Sequence, residues 1–167
     1  MPLKISQQLY DQLRAHGEET YPHECCGILL GKSSDSASGS SDIAIAIHQI
    51  LRAGNTRTDS AHNRYHIAPQ ELIAAQREGR KQGLDIVGFY HSHPDHPAQW
   101  SVTDFAEAHW FGCAYVITAV DGDKQTGEAT ITNSFLLTGT GEEDKAFINQ
   151  PIRIAPDEIT AEDEKPT

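Results

Sequence analysis

The stretch that most limits how this chain can fold is Leu84-Asp85-Ile86-Val87-Gly88-Phe89-Tyr90, which runs directly into His91-Ser92-His93-Pro94. The run is rich in apolar and β-branched residues and short enough to be a buried strand. Side chains two apart on a strand share a face, so His91 and His93 point the same way while Ser92 turns to the other side. Pro94 ends the strand, and residues 95–100, which contain Pro97 and no periodicity, read as a loop. Ser101 then opens a helix expected to run to about Phe111, with Asp104 in its first turn.

Two imidazoles and a carboxylate therefore stand where one metal ion could collect them. Three such ligands and a water would give zinc an exchangeable fourth position, the pattern of a hydrolytic rather than a closed structural site. Ser101 and Asp104 also read as a capping box variant, with Ser101 as N-cap and Asp104 at N3. The two readings are compatible, because a helix N-terminus favours an ionised carboxylate, the form a ligand must have. Taken singly, either histidine is as well explained by hydrogen bonds at a strand end; the pair together with Asp104 favours the metal. A bound water also needs a base. Glu24, in Tyr21-Pro22-His23-Glu24-Cys25-Cys26-Gly27, precedes an apolar segment that reads as a central strand, where a carboxylate is costly without a task or a partner. From spacing alone, an exposed loop residue is the better reading of Glu24.

Glu24, His91, Ser92, His93, Pro94, Ser101 and Asp104 together carry a resemblance: over roughly residues 3 to 137 the chain resembles the JAMM, or MPN-plus, zinc metallopeptidases. The segment from Pro22 to Gly27 looks like the stand-alone prokaryotic branch. The resemblance implies an α/β fold, a mixed β-sheet flanked by helices, related to cytidine deaminases. It implies zinc held by His91, His93 and Asp104 with water in the fourth place. Glu24 would take a proton from that water and hand it to the leaving amine, and Ser101 would donate a hydrogen bond to the oxyanion. Ser92 and Pro94 read as shaping residues.

The implied substrate is an amide bond at the C-terminus of a ubiquitin-like or sulfur-carrier protein, cleaved to remove a C-terminal extension or a carrier-linked cysteine. The substrate tail would lie extended beside an open strand edge. An isopeptidase acting on lysine-linked conjugates is the close alternative, and a non-catalytic docking module with bound zinc a more distant one. Deaminase chemistry is disfavoured, since neither H-x-E nor P-C-x-x-C stands at a suitable place.

The remaining histidines carry less. His16, His48, His62, His66 and His109 share no spacing with the motif and read as surface or packing residues, and His23 alternates away from Glu24. His96 lies in the loop between the ligands and is the one candidate for a substrate contact. Cys25, Cys26 and Cys113 are odd in number, and neighbours on a strand face opposite ways, so a disulfide framework is not expected. They read as reduced core thiols; a bridge to Cys113 needs neighbouring strands, and a cysteine nucleophile is the weaker pathway.

Organisation follows from pattern and punctuation. Ile5 to about Glu19 reads as a helix, and Cys25 to Leu30 and Ile43 to Leu51 as strands joined by a Ser- and Gly-rich loop from Lys32 to Asp42. Tyr65 to Ala68 reads as a short strand and Pro69 to Gly83 as a helix with Pro near its start. Ala114 to Val120 and Thr126 to Leu137 read as strands joined by a turn from Asp121 to Lys124. The 167 residues fit one domain over residues 1–140, followed over 141–167 by an acidic, partly mobile tail. A net charge of −11 without clustered Lys and Arg argues against nucleic acid as a partner. No stretch approaches membrane-spanning length and no apolar leader is seen, so no membrane partner and a cytoplasmic location are expected.

Overall fold

Alternation decides the first element. Leu3 and Ile5 are buried while Lys4 and Ser6 are half-buried, so β1 (Leu3–Ser6) is a strand where a helix from Ile5 is expected. Ser6 then caps α1 (Gln7–Thr20), its hydroxyl accepting the Leu9 amide at 3.2 Å. This computed structural model describes residues 1–34, 43–55, 65–123 and 125–156. Most of the expected loop from Lys32 to Asp42, Lys124 in the expected turn, and the chain from residue 157 lie outside them.

The elements that follow are β2 (Cys26–Ser33), β3 (Ile45–Ala53), α2 (Pro69–Gln82), β4 (Asp85–Pro94), α3 (Val102–Glu107), β5 (Ala114–Asp121), β6 (Glu128–Thr138), β7 (Ala146–Gln150) and β8 (Ile152–Ala155). Helix α2 has the expected punctuation, with Pro69 in its first turn and Gly83 just past its end at φ 68°, a left-handed conformation that glycine adopts without strain. Residues 65–68 form no strand. Helix α3 stops well short of Phe111: Ala108 leaves helical geometry and Gly112 turns the chain at φ 84°. Trp110 and Phe111 are thereby drawn onto the core around Phe89 and Tyr115, and this packing outweighs continuation of the helix.

The eight strands form one sheet in the order β7-β6-β5-β4-β2-β3-β1-β8. Pairings β4–β5, β1–β3 and β1–β8 are parallel and the rest antiparallel, giving a mixed sheet with flanking helices. Helix α2 packs on β2 and β4, whereas α1 touches β1, β3, β4, β5, β6 and β8. Only a sheet curved around α1 allows both contacts. Strands β7 and β8 stand at opposite ends of the order yet are separated in sequence by Pro151 alone, so the curl brings the two edges together there. The seam is tied by polar groups: Leu3 donates its amide to the Pro151 carbonyl at 2.8 Å. Gln150 accepts from the Ser134 hydroxyl at 2.7 Å and donates to the Met1 carbonyl at 3.0 Å.

The expectation of a tail from residue 141 thus gives way, since residues 146–155 supply both edge strands. They are short, half-exposed and interrupted by Pro151, which leaves little periodic signal. Among the described residues no helix is long and apolar enough to cross a membrane.

Candidate active site

A bulge aims the motif. Leu29 pairs with Gly88 but Leu30 with Ile86, so Val87 is an extra residue that resets the alternation of β4. Beyond it Phe89 joins the core on the α2 side, and His91 and His93 follow on the same face. Tyr90 and Ser92 face α1, as the spacing requires. Tyr90 places its hydroxyl 2.8 Å from His16 Nδ1, and Ser92 lies against Gly17.

Strand pairing also delivers Glu24. Cys26 lies opposite His91, the Cys25 amide donates to Ser92 Oγ at 2.8 Å, and the Ser92 amide donates to the Cys25 carbonyl at 3.2 Å. Glu24 is therefore held at the mouth of β2 beside the two histidines, and Asn55 donates to its backbone carbonyl at 3.4 Å. Far from being an exposed loop residue, Glu24 is only 3% exposed.

The side chains converge. His91 Nε2 and His93 Nε2 lie 3.1 Å apart, and Asp104 brings Oδ2 to 3.1 Å from His93 and Oδ1 to 3.3 Å from His91. Glu24 Oε1 is 4.0 Å from His93 Nε2, one step farther out. His93 Nδ1 lies 2.9 Å from the Pro97 carbonyl, which only accepts, so Nδ1 carries the proton and Nε2 faces the cluster. Tyr65 stacks on His91 with ring centroids 4.3 Å apart. Among the described residues His91 Nδ1 is buried with no hydrogen-bond partner.

These residues fit a metal. Bonds of about 2.0–2.1 Å to a tetrahedral zinc place ligand atoms about 3.3 Å from one another; His91 Nε2 and His93 Nε2 stand 3.1 Å apart, and each meets a different oxygen of the Asp104 carboxylate at 3.3 Å and 3.1 Å. Glu24, His91 and His93 also offer ligand atoms within 4.8 Å of one another, so two carboxylates compete for the third place. Asp104 is the nearer of them.

Electrostatics prepare the same set. Burial works to raise the pKa of Asp104, but the charge and hydrogen bond of His91, the hydrogen bond of His93 and the Ser101 amide hold it well below the usual carboxylate range. Burial pushes His91 below the ordinary imidazole value, with Asp104 opposing. Burial also pulls on His93, yet its hydrogen bond with Asp104, the Asp104 charge and the Pro97 carbonyl leave it raised.

Ser101 and Asp104 form the expected capping box: the Ser101 hydroxyl accepts the Asp104 amide at 3.0 Å and Asp104 Oδ2 accepts the Ser101 amide at 2.9 Å. A hydroxyl that accepts from a cap still has its own hydrogen to donate. Ser101 shares with Glu24, His93, His96, Gln99 and Thr103 a cleft of about 440 Å³. Of the residues singled out in the sequence, Glu24, His91, His93, Ser101 and Asp104 are thus brought together, and His96 stands at the rim.

The other histidines are elsewhere. His16 is buried against Tyr90, while His23, His48, His66 and His109 are exposed. His62 lies outside the described residues. Cys25, Cys26 and Cys113 are free and buried, with burial pushing Cys25 and Cys113 up to about 11. A thiol so protonated is a poor nucleophile. Tyr65 and Asn55 support the site without any local signal, because each acts on a residue brought near only by folding, whereas the Pro97 carbonyl lies four residues beyond His93 in the loop that follows the motif.

Comparison with known proteins agrees with this geometry. Residues 6–134 match the model of the prokaryotic homologs of the JAB domain. A protein of Haloferax volcanii named desampylase is 30% identical over 133 residues, which cover 77% of this chain and 88% of that one. A probable TtuB-protein conjugate cleaving protease of Thermus thermophilus is 28% identical over 120 residues, 72% of each chain. A protein of Desulfitobacterium hafniense, 20% identical, shares the fold with a TM-score of 0.70 over 93% of this chain and 94% of its own. The chain therefore belongs to the prokaryotic homologs of the JAB domain and is, with them, a JAMM-type hydrolase.

Proposed function

We propose that the protein is a zinc-dependent peptidase that hydrolyses an amide bond at the C-terminus of a ubiquitin-like sulfur-carrier protein, removing a C-terminal extension or a carrier-linked cysteine. The observation that carries this reading is the convergence of His91, His93 and Asp104 within 3.1 to 3.3 Å, with Glu24 and Ser101 in one cleft beside them. A zinc ion held by His91, His93 and Asp104 would supply Lewis acidity and lower the pKa of water toward neutrality.

The chain's own groups do the rest. Glu24, buried 4.0 Å beyond His93, takes the proton of the attacking water and returns it to the departing amine nitrogen. Ser101 aims its hydroxyl hydrogen at the carbonyl oxygen as negative charge builds there, a contribution of a few kcal/mol. The Pro97 carbonyl fixes the tautomer of His93, and the Ser101 amide holds Asp104 ionised. The free, buried thiols suit a reducing compartment, and we place the protein in the cytoplasm.

One relative's name specifies a protein conjugate as substrate, which favours a second reading, hydrolysis of lysine-linked ubiquitin-like conjugates. The test is intact-mass analysis of two substrates, a carrier with a short C-terminal extension and a carrier linked to a lysine side chain. Each is incubated with zinc-loaded wild type and with Glu24→Gln. Cleavage of the extended carrier by wild type alone supports the proposal. Cleavage of only the lysine-linked form replaces it with the isopeptidase, and no cleavage of either leaves a docking module with bound zinc.

A further inference from the structure

Helix α3 holds a proposed ligand, Asp104, and the proposed oxyanion donor, Ser101, at its start, yet it cannot hold its own position. It has six residues, fewer than an isolated helix needs to persist, and none of them is buried. The capping box closes its N-terminal end internally by tying Ser101 to Asp104, and that end reaches the sheet through Asp104 at His91 and His93. A second anchor lies at the other end.

Lys145, immediately before β7, is a charged residue whose side chain is only 1% exposed. Its ammonium donates to the Ala106 carbonyl in the last turn of α3 at 3.4 Å and lies 4.8 Å from the centre of the Phe105 ring. It also pairs with Glu142 at 3.5 Å, and Glu142 reaches His109, just past the helix, at 3.3 Å. A cation at a helix C-terminus is favoured by the carbonyls that point there, and over a ring by its π face. Burying an ammonium is costly unless partners of this kind surround it. The same segment supplies Phe147, whose ring packs on Phe105, Trp100 and Tyr115.

We propose that the β6–β7 connection is a clasp that seats α3 on the sheet, with Lys145 as a positioning residue that sets where Asp104 and Ser101 stand relative to His91 and His93. Lys145 touches neither substrate nor reacting atoms; it acts through α3. The inference rests on the reading of Asp104 as a metal ligand. It gives a role to residues that the sequence places in a tail.

The test uses the full chain stripped of metal, with zinc affinity measured by competition against a chromophoric chelator, thermal melting of the metal-free form, and kcat and KM on a cleaved carrier substrate. Lys145→Met keeps the apolar stem and removes the charge. It is expected to weaken zinc binding about tenfold, as loss of outer support for a ligand typically does. It should lower kcat more than it changes KM and leave the metal-free melting temperature near that of wild type. Lys145→Arg, which keeps the cation, should restore zinc affinity. Wild-type zinc affinity and kcat in Lys145→Met would overturn the clasp, as would a loss that tracks a collapsed melting temperature and is not rescued by Lys145→Arg. Asp104→Asn separates the two claims. Undiminished zinc binding there would remove the ligand reading itself, whereas weakened binding there with an unaffected Lys145→Met would remove only the inference.

Discussion

His93 shows how far a single residue's environment reaches. The Pro97 carbonyl fixes its proton on Nδ1, so that Nε2 meets Asp104 and His91. Ser101→Ala, which removes the hydroxyl but leaves the proposed ligands, is expected to lower kcat by about 10²–10³ with zinc content unchanged. A fall of less than about threefold in steady-state kinetics would remove Ser101 from the chemistry. His16 offers a separate test through pH. Burial first, then the Arg52 charge, lowers its pKa from 6.5 to about 4, with Glu19 opposing. A neutral histidine favoured by the fold stabilises fully above pH 6.5, and that contribution is lost as pH falls from 6.5 through about 4, because the unfolded chain takes up the proton first. The loss is on the order of 2 kcal/mol. His16→Gln, unfolded by urea in chelator at pH 7 and pH 4.5, should lose less stability on acidification than wild type. Equal losses in the two proteins would show that His16 does not contribute.

The elements differ in how plainly the sequence announces them. Strand β4 and helix α2 are legible, one from an apolar run ending in the motif, the other from Pro69 and Gly83. His91, His93 and Asp104 are legible with them, because their spacing is local. Glu24 is not: it reaches the histidines through the antiparallel pairing of β2 with β4 and a hydrogen bond between Cys25 and Ser92, partners 67 residues apart. Only the family resemblance points to it from sequence. Helix α3 is legible at its start and not at its end, where Trp110 and Phe111 follow the core instead of the helical pattern. Between β2 and β4 the approach is close, since a Cβ on Gly27 would lie 2.1 to 2.5 Å from atoms of the Tyr90 ring. Gly27→Ala must displace that ring, one residue from His91. It is expected to cost about 1–3 kcal/mol in chemical denaturation, and no loss would mean the ring can yield freely.

At the scale of the molecule both edges of the sheet come from the segment that looks least like structure. Strands β7 and β8 take opposite edges and meet at Pro151, so residues 141–155 complete the fold that carries the site. Their brevity and half-exposure hide them from periodicity, whereas their value lies in long-range pairing with β6 and β1. The implied kinship with cytidine deaminases rests on the resemblance alone. A chain ending at residue 140 is expected to lose its cooperative melting transition. Retention of a transition within about 5 °C of the full chain would show that the edges are dispensable. The central claim is that Glu24 performs proton transfer beside a metal held by His91, His93 and Asp104. Its most direct test measures zinc content and single-turnover cleavage of a carrier substrate in one preparation of Glu24→Gln. One zinc per chain, with cleavage slowed by about 10²–10⁴, is the expected result. Zinc lost along with Glu24, or cleavage at the wild-type rate, would contradict it.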